Sequence, residues 1–152
     1  MNDMIPPVLI RIATREDLPA VLGLYQQAGL DRDGGMTPLE AGTVYSRFAA
    51  YPCYRLYVAC LGDKVVGTFA LLIMDNLAHH GKPSAIVEDV AVDPLEQGRG
   101  VGKAMMRFAR DICRGKGCYK LSLTSNQARE GAHAFYEAIG FERHGYSFRV
   151  TP

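Results

Sequence analysis

Residues 86–109, IVEDVAVDPLEQGRGVGKAMMRFA, hold the feature that most limits what this chain can fold into. Ile86, Val87, Val90, Ala91 and Val92 make an apolar, β-rich run, and Asp93-Pro94 closes it as a turn pair. Gln97-Gly98-Arg99-Gly100-Val101-Gly102-Lys103 then sets a glycine at every second position. Val101, Met105, Phe108, Ala109 and Ile112 follow at three- and four-residue spacing, the period of an amphipathic helix. The stretch predicts a strand, a tight glycine turn and a helix start. Glycine lets the backbone approach a ligand and adopt angles closed to other residues. A helix start carries N–H groups without partners and the positive end of the helix dipole, which suits a phosphate. Arg99 and Lys103 add positive charge at the same place. The turn reads as an anion cradle, suited to a diphosphate.

Two familiar cradles are excluded. The phosphate-loop pattern G-x-x-x-x-G-K-[ST] fails, because Gln97 stands at its first glycine and Ala104 at its hydroxyl. The dinucleotide pattern G-x-G-x-x-G fails because its third glycine would fall at Lys103 or Met105. What matches is Q-x-x-G-x-G, at Gln97, Gly100 and Gly102.

The 152 residues suffice for one domain with a proper core, spanning 1–152, and are too few for two. A net charge of +1 gives no global case for nucleic acid or a membrane surface. No apolar run approaches the roughly 18–20 residues that span a bilayer, and residues 1–10 lack the basic flank and long apolar core of a signal peptide. Cys53, Cys60, Cys113 and Cys118 are irregularly spaced and read as reduced thiols of a cytoplasmic protein, with neither a zinc site nor a disulfide framework.

Residues 8–13 alternate as a first strand. Thr14 to Asp17 read as a helix cap with its reciprocal acid, ahead of a helix carrying Leu18, Val21, Leu22 and Tyr25 and stopping at Gly29. Residues 30–36, with Asp31, Arg32 and Asp33, form a polar loop. Thr37-Pro38-Leu39-Glu40 starts a second helix that runs to about Ala50. Residues 55–61 and 64–74 make a hairpin around Gly62-Asp63. Residues 76–84, with His79 and His80, lead into the organising strand. After the glycine turn and its helix come a strand at 119–124, a helix at 129–139 and a terminal β-hairpin at 141–143 and 146–150. The result is an α/β to α+β fold, a mixed sheet of about seven strands with helices on both faces.

This order and three motifs resemble the GNAT superfamily of N-acyltransferases over essentially the whole chain. The motifs are E-D-V-A-V-D-P at 88–94, Q-x-x-G-x-G, and A-x-x-F-Y-x-x-x-G-F from Ala132 to Phe141. EDVAVDP with Gly117-Cys118-Tyr119-Lys120 resembles glucosamine-6-phosphate N-acetyltransferases. The His79-His80 loop and S-N-x-x-R-x-x-A-H-x-F-Y from Ser125 to Tyr136 resemble aminoalkylphosphonate N-acetyltransferases.

The resemblance implies acetyl-CoA as acyl donor, a primary amine as acceptor, and no metal. It implies a homodimer. Gln97, Gly98, Arg99, Gly100, Val101, Gly102 and Lys103 would hold the coenzyme's diphosphate, and the strand at Val90, Ala91 and Val92 its pantetheine arm. That requires the strand at 121–124 to splay away. The asparagine that many relatives carry seven residues before the tyrosine is here Arg129, so either Asn126 or Arg129 contacts the coenzyme.

Amide formation from a thioester needs a base for the ammonium, a donor for the carbonyl oxygen and a proton for the leaving thiolate. Alternation sends Glu88 and Asp89 to opposite faces; by resemblance Glu88 is the base, directly or through water, against a structural ion pair. Tyr136 is by resemblance the acid, against a packing role. Val90 N–H is the candidate donor to the carbonyl oxygen. Tyr25, Asp31, His79 and His80 are candidate acceptor contacts; a small amine bearing an anionic group is expected. A peptide or protein amine, and a non-catalytic acetyl-CoA sensor or scaffold, stay open.

Overall fold

The computed structural model describes residues 7–31 and 33–152; Arg32 of the polar loop, and residues 1–6 of the terminus read above, lie outside these. Its backbone forms two units, one ending at Ser122 and one covering Leu123–Pro152.

The first unit runs β1 (Val8–Ile12), a 3-10 turn, α1 (Leu18–Gln27), α2 (Pro38–Ala50), β2 (Tyr54–Leu61), β3 (Lys64–Met74), β4 (Ser84–Val92), α3 (Val101–Gly115) and β5 (Lys120–Ser122). The caps read from sequence are present. Asp17 accepts from Thr14 N–H at 2.7 Å, and Glu40 accepts from Thr37 N–H at 2.7 Å, each the reciprocal half of a capping box. The left-handed Gly29 stops α1, and Pro38 opens α2.

The strands lie in the order β1-β2-β3-β4-β5, antiparallel until the last pair, β4 and β5, which is parallel. On one face Leu56, Val58, Cys60 and Ala70 pack with Leu18 and Val21 of α1 and Ala41 of α2. On the other lies α3, with Phe108 edge-on to Tyr57, which stacks on Phe69 at 5.1 Å. At Gly67 of β3 an added Cβ would sit 2.7 Å from Met105 Sδ of α3. A side chain there has to displace Met105.

The mixed sheet flanked by helices stands, but about seven strands becomes five among the described residues. The strand expected at 119–124 keeps only Lys120–Ser122. The terminal hairpin at 141–150 carries no strand. Its alternating residues have the composition of a strand but no ladder to join. A strand is defined by its partner, which a pattern within one segment cannot supply.

β4 departs from regular alternation at one point. Thr68 pairs with Ala91 and Ala70 with Glu88, so Asp89 and Val90 stand opposite Phe69 alone. This is a β-bulge, and Asp89 carries it at φ 52°. The expected opposition of Glu88 and Asp89 is thereby lost. Glu88 shares the face of Ala70, toward α1 and α2, and both carboxylates act on the Tyr54 phenol.

In the second unit α4 (Glu130–Ala138) ends at Gly140, φ 100°. The glycine's N–H is donated to Glu137 O at 3.1 Å and that of Phe141 to Tyr136 O at 3.0 Å.

Candidate active site

The glycine turn has the geometry expected of a cradle. Gly98 and Gly100 sit at φ 83° and 80°, angles strained for other residues. Gly100 is the N-cap of α3 and brings no side-chain cap, so the first-turn amides of Val101, Gly102 and Lys103 are left for an outside acceptor. A Cβ at Gly100 would meet nothing within 4 Å. The turn is held from behind: Asp93 accepts from Leu95 N–H at 3.0 Å, and Lys64 Nζ lies 3.1 Å from Asp93 and 3.5 Å from Glu96. Arg99 is paired with Glu96 at 2.8 Å. It is therefore part of the clamp on the turn as much as a free charge for an anion.

The strand before the cradle is open along one side. β5 pairs β4 only from Ser84 to Ile86. Beyond Ile86, through Val90, Ala91 and Val92, β4 has no ladder partner on that side among the described residues. Its main-chain groups there, like the α3 amides, can take an extended polar ligand.

A group of acids and phenols gathers at the bulge. Burial, and then the charge of Asp89, raises the Glu88 carboxyl above its ordinary value. Burial, and then the charge of Asp31, raises Asp89. Tyr25 on α1 is pushed up by burial and by Asp89, Tyr54 and Asp31, against a hydrogen bond with Thr68. Tyr54 is raised by burial and both strand carboxylates. Tyr25, Asp31, Glu88 and Asp89 are thus brought together. Tyr54 was missed; its signal was an aromatic at a strand start, on the same face as Leu56 and Val58.

His79 and His80 are not part of this group. Both have positive φ, 57° and 59°, in the 3-10 turn leading into β4, and the His79 ring stacks on Tyr119 at 4.0 Å. They precede the first residue of β4, whereas the cradle follows its last. Among the described residues no hydrogen bond or ring contact ties either to Glu88, Asp89, Tyr25 or Asp31.

In the second unit, Tyr136 lies edge-on between Phe135 and Phe141, at 5.2 and 5.6 Å between ring centres. Burial raises its phenol, and the charge of Arg129 pulls it down. Asn126 Oδ1 accepts from Ala128 N–H at 2.9 Å, and its carbonyl meets His133 Nε2 at 2.8 Å. The Asn126 side chain thus has its oxygen engaged in its own turn.

Residues 25–141 match the family model described as Acetyltransferase (GNAT) family. The chain belongs to the GNAT family. It is an acyltransferase. Within the family it is 38% identical over 87 residues to a glucosamine 6-phosphate N-acetyltransferase of Trypanosoma brucei brucei, a match covering 57% of each chain. It is 28% identical to an aminoalkylphosphonate N-acetyltransferase of Salmonella typhimurium, over 97% of this chain and 93% of the relative. A solved structure from Agrobacterium tumefaciens superposes with a TM-score of 0.88 at 35% identity, covering 95% of this chain and 99% of the other. No helix of the described residues is long and apolar enough to cross a membrane.

Proposed function

We propose that this GNAT chain, as a single domain over 1–152, moves an acetyl group from acetyl-CoA to a small primary amine by direct attack in a ternary complex. The observation that carries the reading is the strand β4 with its open edge, running into an uncapped, glycine-led α3. Gln97 to Lys103, with Gly98 and Gly100 left-handed, would grip the diphosphate by main-chain N–H groups. Val90, Ala91 and Val92 would hold the pantetheine arm as an added strand. Arg129 or the Asn126 amide N–H groups would make the remaining coenzyme contact, the Asn126 side-chain oxygen being engaged in its own turn.

Acetyl-CoA supplies an acyl group activated as a thioester. Glu88 takes the proton of the acceptor ammonium, directly or through water, and its raised carboxyl is a stronger base than an ordinary glutamate. Val90 N–H donates to the carbonyl oxygen as charge grows there. The amine nitrogen bonds the carbonyl carbon, the C–S bond breaks, Tyr136 gives its O–H proton to the leaving sulfur, and the second proton shed by the nitrogen as it becomes an amide restores the Tyr136 phenol through water. The cytoplasm, which keeps the four free cysteines reduced, suits the reaction.

The favoured acceptor is an amine bearing an anionic group. Its support is the two relatives named for glucosamine 6-phosphate and aminoalkylphosphonate. A polycationic amine is the second reading, favoured by Asp31, Glu88 and Asp89 acting on one another. Thiol release from acetyl-CoA over a panel of phosphorylated amines, polyamines and peptide amines separates these. Fastest turnover is expected on a phosphate- or phosphonate-bearing amine. A preference for polyamines would reverse the assignment. Coenzyme binding without thiol release on any amine would leave a sensor or scaffold.

A further inference from the structure

We infer that Cys113 and Cys118 are a redox pair, closing reversibly to a disulfide with a low-molecular-weight disulfide as oxidant. α3 ends in a Schellman turn. Gly117 takes a left-handed φ of 72°, Cys118 N–H is donated to Cys113 O at 2.9 Å, and Gly117 N–H to Arg114 O at 3.1 Å. Such a turn folds the chain back, so that the residue after the glycine packs on the helix residue five positions earlier. That contact is commonly apolar; here both members are thiols. The 2.9 Å bond keeps the two Cα atoms within about 6.8 Å of each other whatever its angle, inside the reach of a disulfide. Closure therefore needs side-chain rotation and no rearrangement of the chain.

Cys113 lies on the buried face of α3 with Met105, Met106 and Ala109. Burial, then the charge and hydrogen bond of Cys118, push its thiol up to about 12. Cys60 packs on the opposite face of the sheet, with α1 and α2, so the pair closes on itself. Cys118, in the turn beyond the helix, meets the oxidant first. Its thiol gives a proton to water, and the sulfur attacks the small disulfide, leaving a mixed disulfide and one small thiolate. Cys113 then loses its proton and attacks the Cys118 sulfur, expelling the second small thiolate. Two protein thiols are oxidised, one small disulfide is reduced to two thiols, and those thiols take up the two protons. The new bond ties the end of α3 to the chain entering β5.

The test incubates the folded full chain with oxidised glutathione up to a large excess, alkylates it with iodoacetamide and digests it with trypsin without reduction. Arg114 and Lys116 lie inside the closed ring, so trypsin opens it and leaves residues 111–114 and 117–120 joined through the two sulfurs. That joined pair is expected, and dithiothreitol is expected to separate it. Cys113→Ser is expected to stop at glutathione bound to Cys118, because the second attack has lost its thiol. Wild type that holds glutathione on Cys118 without the joined pair overturns the inference. So does wild type in which both residues are still alkylated at the highest glutathione excess. If Cys113→Ser fails to fold, the wild-type digest decides alone.

Discussion

Replacing Gly67 by alanine sets two effects of opposite sign against each other. Gly67 lies on β3 opposite Val92, outside the left-handed region. At such a position alanine ordinarily stabilises by about 0.4–1 kcal/mol, through the unfolded chain it restrains. Here the new Cβ meets Met105 Sδ at 2.7 Å, Val101 Cγ1 at 3.2 Å and Ala59 Cβ at 3.3 Å. Met105 is flexible, but it is 0% exposed, so its sulfur moves only among other buried groups, and Val101 and Ala59 are as deeply buried. Overpacking of this kind costs about 1–3 kcal/mol. The second effect wins, leaving a net loss of roughly 1–2 kcal/mol. For a chain of this size each kcal/mol moves Tm by about 2–4 °C, so calorimetry should record a fall of about 2–8 °C. Val101 opens α3, so the same push displaces the cradle, and titration calorimetry should show weaker acetyl-CoA binding. A Tm at or above that of the wild type would refute the reasoning.

Gly100→Val should keep the fold, since its Cβ meets open space, at a backbone cost of about 1–2 kcal/mol for the left-handed angle. Acetyl-CoA binding should be lost; tight binding by calorimetry would move the diphosphate elsewhere. Tyr136→Phe should lower kcat about 100-fold with little change in coenzyme affinity, and unchanged turnover would remove the phenol as the acid. Asp17 is held at about pH 2 from 3.8 by the Arg11 guanidinium at 2.6 Å. A depressed carboxyl stabilises the fold above its unfolded value and loses that contribution as the pH falls through the folded one. With Arg11 partly solvated, the contribution is roughly 1–2 kcal/mol. Thermal melts of Asp17→Asn should therefore lie below the wild type at pH 7 and meet it near pH 2; a constant gap would contradict the linkage.

Features coded within a few residues were legible in the chain itself. The capping boxes at Thr14 and Thr37, the hairpin at Gly62, the α3 face and the stop at Gly140 each depend on neighbours close in sequence, and each is present. What escaped depends on register between distant segments. The bulge at Asp89 exists because β3 offers one residue where β4 offers two. The gathering of Tyr25, Asp31 and Tyr54 around Glu88 and Asp89 follows from how α1 and β2 lie against β4, and no local spacing announces it. The engagement of Arg99 by Glu96 was open to reading at three-residue separation, yet the charge alone suggested an anion contact.

The extra residue at Asp89 acts on β4 as a dislocation does on a crystal row. Val87 stands opposite Leu71 and Val92 opposite Gly67, so both face α3, although five residues apart they would oppose each other in an uninterrupted pleat. Deleting either Asp89 or Val90 would restore the even rhythm and force a choice. Either Glu88 would turn from the phenols toward α3, or Val92 would turn away from it. One surplus residue lets a single strand present its acid to one layer while its apolar ends anchor the other.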